Sequence, residues 1–260
     1  MPRRGPRRRD GDARPPRGSR PRGRRDLRGR RGLVAAARLY AGSSGFSYAT
    51  WKDDFYPADA KPADFLRFYA TRLNTVELNS TFRRLPAENQ FERWADQTAP
   101  GFRFGVTLAR RATSFGRVEG VDAAAQSISK LGDRLGPVRI KVLQARDDGF
   151  LRLLLDSLEP TMRWALDFRH ESWRDDEIQA RLDERGVARV DAEDGGADFR
   201  YLRLRNPPYS DDDLAAEAAR IDSMIAAGLD VFAYFQHEDE PTAPRYAERL
   251  LELVSGPSGG

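Results

Sequence analysis

The sequence predicts an α/β fold, a TIM-like (β/α) barrel. Three observations carry the prediction: eight short runs of strand composition, helical patterns in most of the intervals between them, and glycines where helices should end. The strand runs are Leu39–Ser43, Thr75–Leu78, Phe102–Leu108, Val138–Val142, Arg163–Phe168, Ala188–Asp191, Phe199–Arg205 and Asp230–Phe235. Among the helical stretches, Pro62–Arg72 opens on proline and sets Phe65, Leu66 and Tyr69 on one face. Glu88–Gln97, Val121–Leu135, Phe150–Leu158, Asp175–Arg185, Asp211–Ala227 and Pro241–Val254 follow. Gly136, Gly186 and Gly228 stand at expected helix ends. The interval Ala192–Asp198 is too short for a helix, so the expected barrel lacks the helix between strands six and seven or closes incompletely. A doubly wound open sheet is the competing architecture.

Composition narrows the class. The chain is 40% hydrophobic and 32% charged, and no run of 18 apolar residues is present, so no bilayer-spanning helix is expected. With no cysteine there is no disulfide framework, thiolate metal site or cysteine nucleophile, and a cytoplasmic location is expected. The net charge of +4 conceals a division. Residues 1–32 hold 14 arginines and three aspartates, whereas the other 228 residues carry 30 basic and 37 acidic side chains. The pI near 9.5 therefore belongs to the tail, and the acidic body argues against a broad nucleic-acid-binding face on it.

Residues 1–32 contain almost only Arg, Gly, Pro and Asp, without apolar periodicity, so they are expected to be disordered and residues 33–260 to form the one folded domain. Three readings of the tail stay open. It is an arm that binds nucleic-acid phosphates, a targeting peptide without the apolar region of a secretory signal, or sequence upstream of a start near Val34.

Strand parity locates the site. Barrel strands point alternate residues inward, and the apolar alternates must face the helices. That rule sends Glu77, Arg103, Arg139, Lys141, Asp167, Arg169, Arg189, Asp191, Arg203 and Arg205 to the interior, with Arg103 and Arg139 near the floor. Three acids cannot neutralise seven bases, so a positively charged mouth within an acidic body is expected, suited to an anionic ligand. A purely structural ion-pair network is the alternative.

Several blocks resemble the YecE-like family of unknown function. They are Gly42-Ser43-Ser44-Gly45-Phe46-Ser47-Tyr48 with Trp51 and Phe55-Tyr56-Pro57; Thr75-Val76-Glu77-Leu78-Asn79-Ser80-Thr81-Phe82; Asp167-Phe168-Arg169-His170-Glu171-Ser172-Trp173; and Val231-Phe232-Ala233-Tyr234-Phe235. The resemblance runs from Leu39 to Val254 and implies a TIM-like barrel, with no established activity, substrate or cofactor. The family pattern has Glu at Asp167, Lys at Thr107, Gln at Lys141, His at Arg205 and a pair of Asn at Gln236-His237. Several of these departures lie at strand ends, where chemistry sits in barrels, and imply a divergent branch with an altered substrate or lost activity.

The candidate residues follow from these positions. Glu77, Asp167 and His170 are candidates for proton handling. Lys141, Arg169, Arg203 and Arg205 are candidates to hold an anion, because guanidinium forks match phosphate and carboxylate. Ser43 and Ser44 offer hydroxyl and backbone N–H groups, Asn79, Asp191 and Gln236 offer polar contacts, and Trp51 with Phe46, Tyr48 and Phe82 offers an aromatic wall. Glu77, Asp167, Asp191 and His170 would be the oxygen-rich set for Mg²⁺ or Mn²⁺ if a divalent metal were used. The sequence identifies no cofactor. The expected partner is a small anionic molecule undergoing hydrolysis or isomerisation; the alternative is a non-catalytic or nucleic-acid-associated protein using the basic tail.

Overall fold

The computed structural model describes residues 37–113, 117–236 and 240–255. The Arg-rich stretch 1–32, the position Val34 and His237 lie outside the described residues. Eight strands alternate with helices: β1 (Leu39–Ser43), α1 (Phe65–Arg72), β2 (Thr75–Leu78), α2 (Glu88–Asp96), β3 (Arg103–Thr107), α3 (Val121–Ile128), β4 (Leu135–Val142), α4 (Asp148–Asp156), β5 (Trp164–Phe168), α5 (Asp176–Glu184), β6 (Ala188–Arg189), β7 (Phe199–Leu204), α6 (Asp211–Ala226), β8 (Asp230–Phe235) and α7 (Thr242–Ser255). Every strand pair is parallel, as in a TIM-like barrel. The backbone ladders form two arcs, β1-β8-β7 and β2-β3-β4-β5-β6.

Side chains bridge the two seams between the arcs. At β1–β2, the Asn74 amide accepts from Ala41 N at 3.0 Å and donates to Leu39 O at 2.8 Å. The Tyr69 hydroxyl accepts from Ser43 N at 2.8 Å and donates to Thr75 O at 3.1 Å. Glycine is required at Gly42, because a Cβ there would lie 2.0 Å from Thr75 O. At β6–β7, Asp191 N donates to Tyr201 O at 2.8 Å and the Asp191 carboxylate accepts from Arg203 N at 2.6 Å.

No helix joins β6 to β7, as the short interval predicts. The buried Arg200 guanidinium holds that connection instead, donating to the carbonyls of Glu193, Gly195, Ala197 and Phe199 at 2.7 to 2.9 Å. Its side chain reaches four carbonyls that a helix would have satisfied within its own backbone.

Two apolar layers result. The larger lies between strands and helices and includes Val76, Phe104, Val106, Ile140, Leu166 and Leu202. The smaller fills the lower barrel interior with Tyr40, Phe199, Tyr201, Phe232 and Tyr234, in which Tyr40 and Phe232 stack at 4.5 Å. Gly105 makes room for this cluster, since a Cβ there would stand 2.3 Å from the Tyr234 hydroxyl.

Four expectations change. The helix expected over Val121–Leu135 ends at Ile128 and continues as a 3-10 turn to Arg134. Gly136 is a strand residue rather than a helix end; Gly132, at φ +54°, makes that turn. Strand β4 therefore starts earlier than predicted, which puts Arg139 in the middle of the strand and fully buried rather than near the floor. Along β6 the parity is reversed. Ala188 and Val190 join the inner cluster, while Arg189 turns outward over Phe168 and donates to Gln179 and to the carbonyl of Trp173.

Candidate functional site

Above the aromatic plug, ions replace rings. Glu77 rises from β2, Arg139 and Lys141 from β4, Asp167 from β5 and Arg203 from β7, all on the inward parity that the sequence indicates. Arg169, Asp191 and Arg205 lie just past strand ends and complete the group. Five basic side chains thus face three acids at the mouth, with Arg189 outside it and Arg103 half-buried below, bonded to the carbonyls of Pro100 and Phe102.

Glu77 is the deepest of the acids, wholly buried. Its Oε1 accepts from the Tyr201 hydroxyl at 2.7 Å and pairs with Arg139 Nη1 at 2.9 Å. Its Oε2 accepts from Arg203 Nη2 at 3.1 Å and from the Ser44 hydroxyl, which itself accepts from Arg203 Nη2 at 2.8 Å. Burial alone would push this carboxyl up. Arg139, Arg203 and the two hydroxyl donors outweigh burial and hold it at about 2. Burial likewise opposes the charge of Arg139, and Glu77 more than restores it. Arg139 Nη2 also donates to Asn79 Oδ1 at 3.1 Å. Tyr201 keeps its proton, because burial and the adjacent Glu77 raise it well above the ordinary range.

Asp167 is held more loosely. Its oxygens lie 3.8 Å from Arg139, 3.5 Å from Arg169 and 3.8 Å from Arg205, and Oδ2 has no hydrogen-bond partner. Arg205 pairs with Asp191 through Nη1, while its Nε and Nη2, together with Arg203 Nε and Thr107 Oγ1, are buried without hydrogen-bond partners. Lys141 has its ammonium 4.3 Å above the Phe82 ring and forms no ion pair among the described residues. Burial, then Arg139 and Arg203, pull its pKa down to about 8 against the opposing pull of Glu77 and Asp167. A cleft of about 550 Å³ opens beside the mouth, lined by Phe46, Tyr48, Trp94, Arg83 and Asn79 among others, so Asn79 belongs to both cleft and ion group.

The structure thus unites Ser44, Glu77, Asn79, Lys141, Asp167, Arg169, Asp191, Arg203 and Arg205. Four candidates fall outside the group. Ser43 faces the outer layer, bonded to Gly45 O and Tyr69. Trp51 is fully buried among Tyr48, Phe55 and Tyr56, so it is the core of the β1 loop and not a ligand wall. His170 caps the 3-10 turn at Glu171–Trp173, its Nδ1 accepting from Ser172 N at 3.2 Å, and does not join the carboxylates. The Gln236 side chain is exposed, and its backbone N donates to Leu204 O. Glu77 accepts three hydrogen bonds and forms an ion pair with Arg139, so both of its oxygens are engaged and the role the structure displays for it is that of a buried counter-ion. For the same reason the proposed metal set does not assemble: among the described residues no three acids or histidines are grouped to hold an ion. Tyr201 shares the inward parity of Arg203, but a count of charges does not include this neutral donor.

Solved structures share the fold. A DUF72 family protein of Thermotoga maritima MSB8 superposes with a TM-score of 0.64 at 21% identity over 84% of this chain and 98% of that one. A DUF72 family protein of Enterococcus faecalis V583 superposes with a TM-score of 0.70 at 14% identity over 85% and 97%. A comparison with curated proteins finds no match. The family model described as a protein of unknown function, DUF72, matches residues 40–258, and this chain therefore belongs to the DUF72 family.

Proposed function

We propose that the C-terminal mouth of the barrel binds a small anionic molecule, phosphorylated or carboxylated. One observation carries the reading: buried guanidinium nitrogens of Arg203 and Arg205 have no hydrogen-bond partner at a mouth where bases outnumber acids. An unsatisfied buried donor is costly, and an anion's oxygens would satisfy it. Arg169, half-exposed, and Lys141 would complete the clamp. If the bound molecule is hydrolysed or isomerised, Asp167 is the carboxylate with an open oxygen to handle the proton.

Thermal melting with inorganic phosphate tests the site. At a hundred times its Kd, a ligand stabilises by about 2.7 kcal/mol, or roughly 5–10 °C for a domain of this size. Arg169→Gln and Arg205→Gln are each expected to remove most of that shift. A shift that survives both substitutions contradicts this placement, as does the absence of a shift with phosphate, sugar phosphates and carboxylates alike.

A further inference from the structure

Four of the 44 basic residues are lysines. Lys61 and Lys130 are exposed and Lys52 is half-buried on the β1 loop, while Lys141 points into the barrel mouth. Arginine would serve a purely electrostatic role there and is used at every neighbouring basic position. The property lysine adds is that it can lose its proton and become a nucleophile. The surroundings of Lys141 favour that neutral amine. Its Nζ is partly buried, no carboxylate forms an ion pair with it among the described residues, and Arg139 and Arg203 stand nearby; together these outweigh the Phe82 face, which favours the ammonium. With its pKa lowered to about 8, roughly half of the amine is unprotonated at pH 8. Asp167 is its direct neighbour across the β4–β5 ladder and carries the unpartnered Oδ2.

We propose that Lys141 is a nucleophilic amine that forms a Schiff base with the carbonyl carbon of an anionic aldehyde or ketone. The inference rests on the anion-binding reading, with Arg169 and Arg205 holding the charged end of the molecule. The neutral Nζ attacks the carbonyl carbon and the C=O π pair moves to oxygen. Asp167 takes one proton from the nitrogen, and the oxygen gains one from solvent to give a carbinolamine. Asp167 then returns its proton to that hydroxyl, which leaves as water as the C=N bond forms, and the iminium nitrogen releases its remaining proton to solvent, replacing the one taken up. The sum is amine plus carbonyl giving imine plus water, and no redox partner is needed. Neighbouring cations are a known means of activating such an amine.

Pyridoxal 5′-phosphate, an aldehyde carrying a phosphate, followed by borohydride reduction of any imine, tests this on the full chain. Peptide mass mapping then compares Lys141 with Lys61 and Lys130 in the same sample. At pH 8, Lys141 is expected to label about tenfold faster than either exposed lysine, with its rate rising around pH 8 instead of beyond pH 10. Inorganic phosphate is expected to slow labelling of Lys141 alone. Lys141→Arg is expected to abolish the fast label while melting cooperatively. Labelling of Lys141 no faster than the exposed lysines overturns the proposal, even if phosphate stabilises the protein and the anion site stands. Fast labelling that phosphate leaves unchanged supports the amine and overturns the anion site instead.

Discussion

Four partners converge on Glu77 and decide what its carboxylate does. Ser44, Tyr201 and Arg203 make hydrogen bonds and Arg139 pairs with it by charge, so both oxygens are engaged and the group serves as a buried, ionised anchor. Its folded pKa of about 2 lies below the ordinary 4.5, so its ionisation stabilises the fold above pH 4.5 and the benefit fades as pH falls toward 2. Glu77→Gln leaves Arg139 buried without its nearest counter-ion and is expected to lower stability by about 3–5 kcal/mol at neutral pH. Urea titrations at pH 7 and pH 3 should show a smaller difference at the lower pH; an equal loss at both would contradict the ion-pair account. Lys141 gives a pH dependence of the same sign over a higher range. Its lowered pKa means that the folded protein gains stability as pH rises from about 8 to 10.5. A bound anion would restore its charge, so phosphate binding is expected to take up a fraction of a proton at pH 8 and none at pH 6. Calorimetry in buffers of different ionisation heat measures that uptake. The inward set on β2, β4, β5 and β7 was legible because alternation assigns it. The depth of Arg139 was not, because Gly136-Pro137 reads as a turn when it is strand.

The two seams show what strand pattern alone leaves out. Alternation identified eight strands and the missing helix after β6, yet nothing in the pattern indicates that Asn74, Tyr69 and Asp191 replace ladder hydrogen bonds. These contacts join residues far apart in the chain, which no local window contains. Arg200 is the same kind of feature: its outward parity reads as an anomaly until four carbonyls are seen around it. Arg200→Met is expected to strand those carbonyls, costing about 3–5 kcal/mol in denaturant titrations and opening the 193–199 connection to proteases. A loss below about 1 kcal/mol would mean that water satisfies them equally well. Helix α6 illustrates a device that is legible locally. Ser210 and Asp213 form the capping box their spacing suggests, at the start of a helix that needs no distant contact to begin.

At the scale of the molecule, charge is sorted: an acidic body surrounds a cationic mouth, and residues 1–32 carry the positive excess. The two are expected to differ in salt. Phosphate binding at the mouth should weaken modestly with ionic strength, because partly buried charges are screened less, whereas polyanion binding through residues 1–32 should fall steeply. Binding of phosphate and of a single-stranded oligonucleotide, with and without residues 1–32, separates them. Oligonucleotide binding that outlasts deletion of the tail would contradict this division.

The bonds around Glu77 do not respect the division of the sheet. Ser44 and Arg203 approach from β1 and β7 on one arc, Glu77 and Arg139 from β2 and β4 on the other. Arg203 fastens the halves with Nη2 and keeps Nε unengaged. A guest grasped by that nitrogen would rest on the rivet between the two halves of the wall, so whatever occupies the mouth also bears on how firmly those halves grip each other.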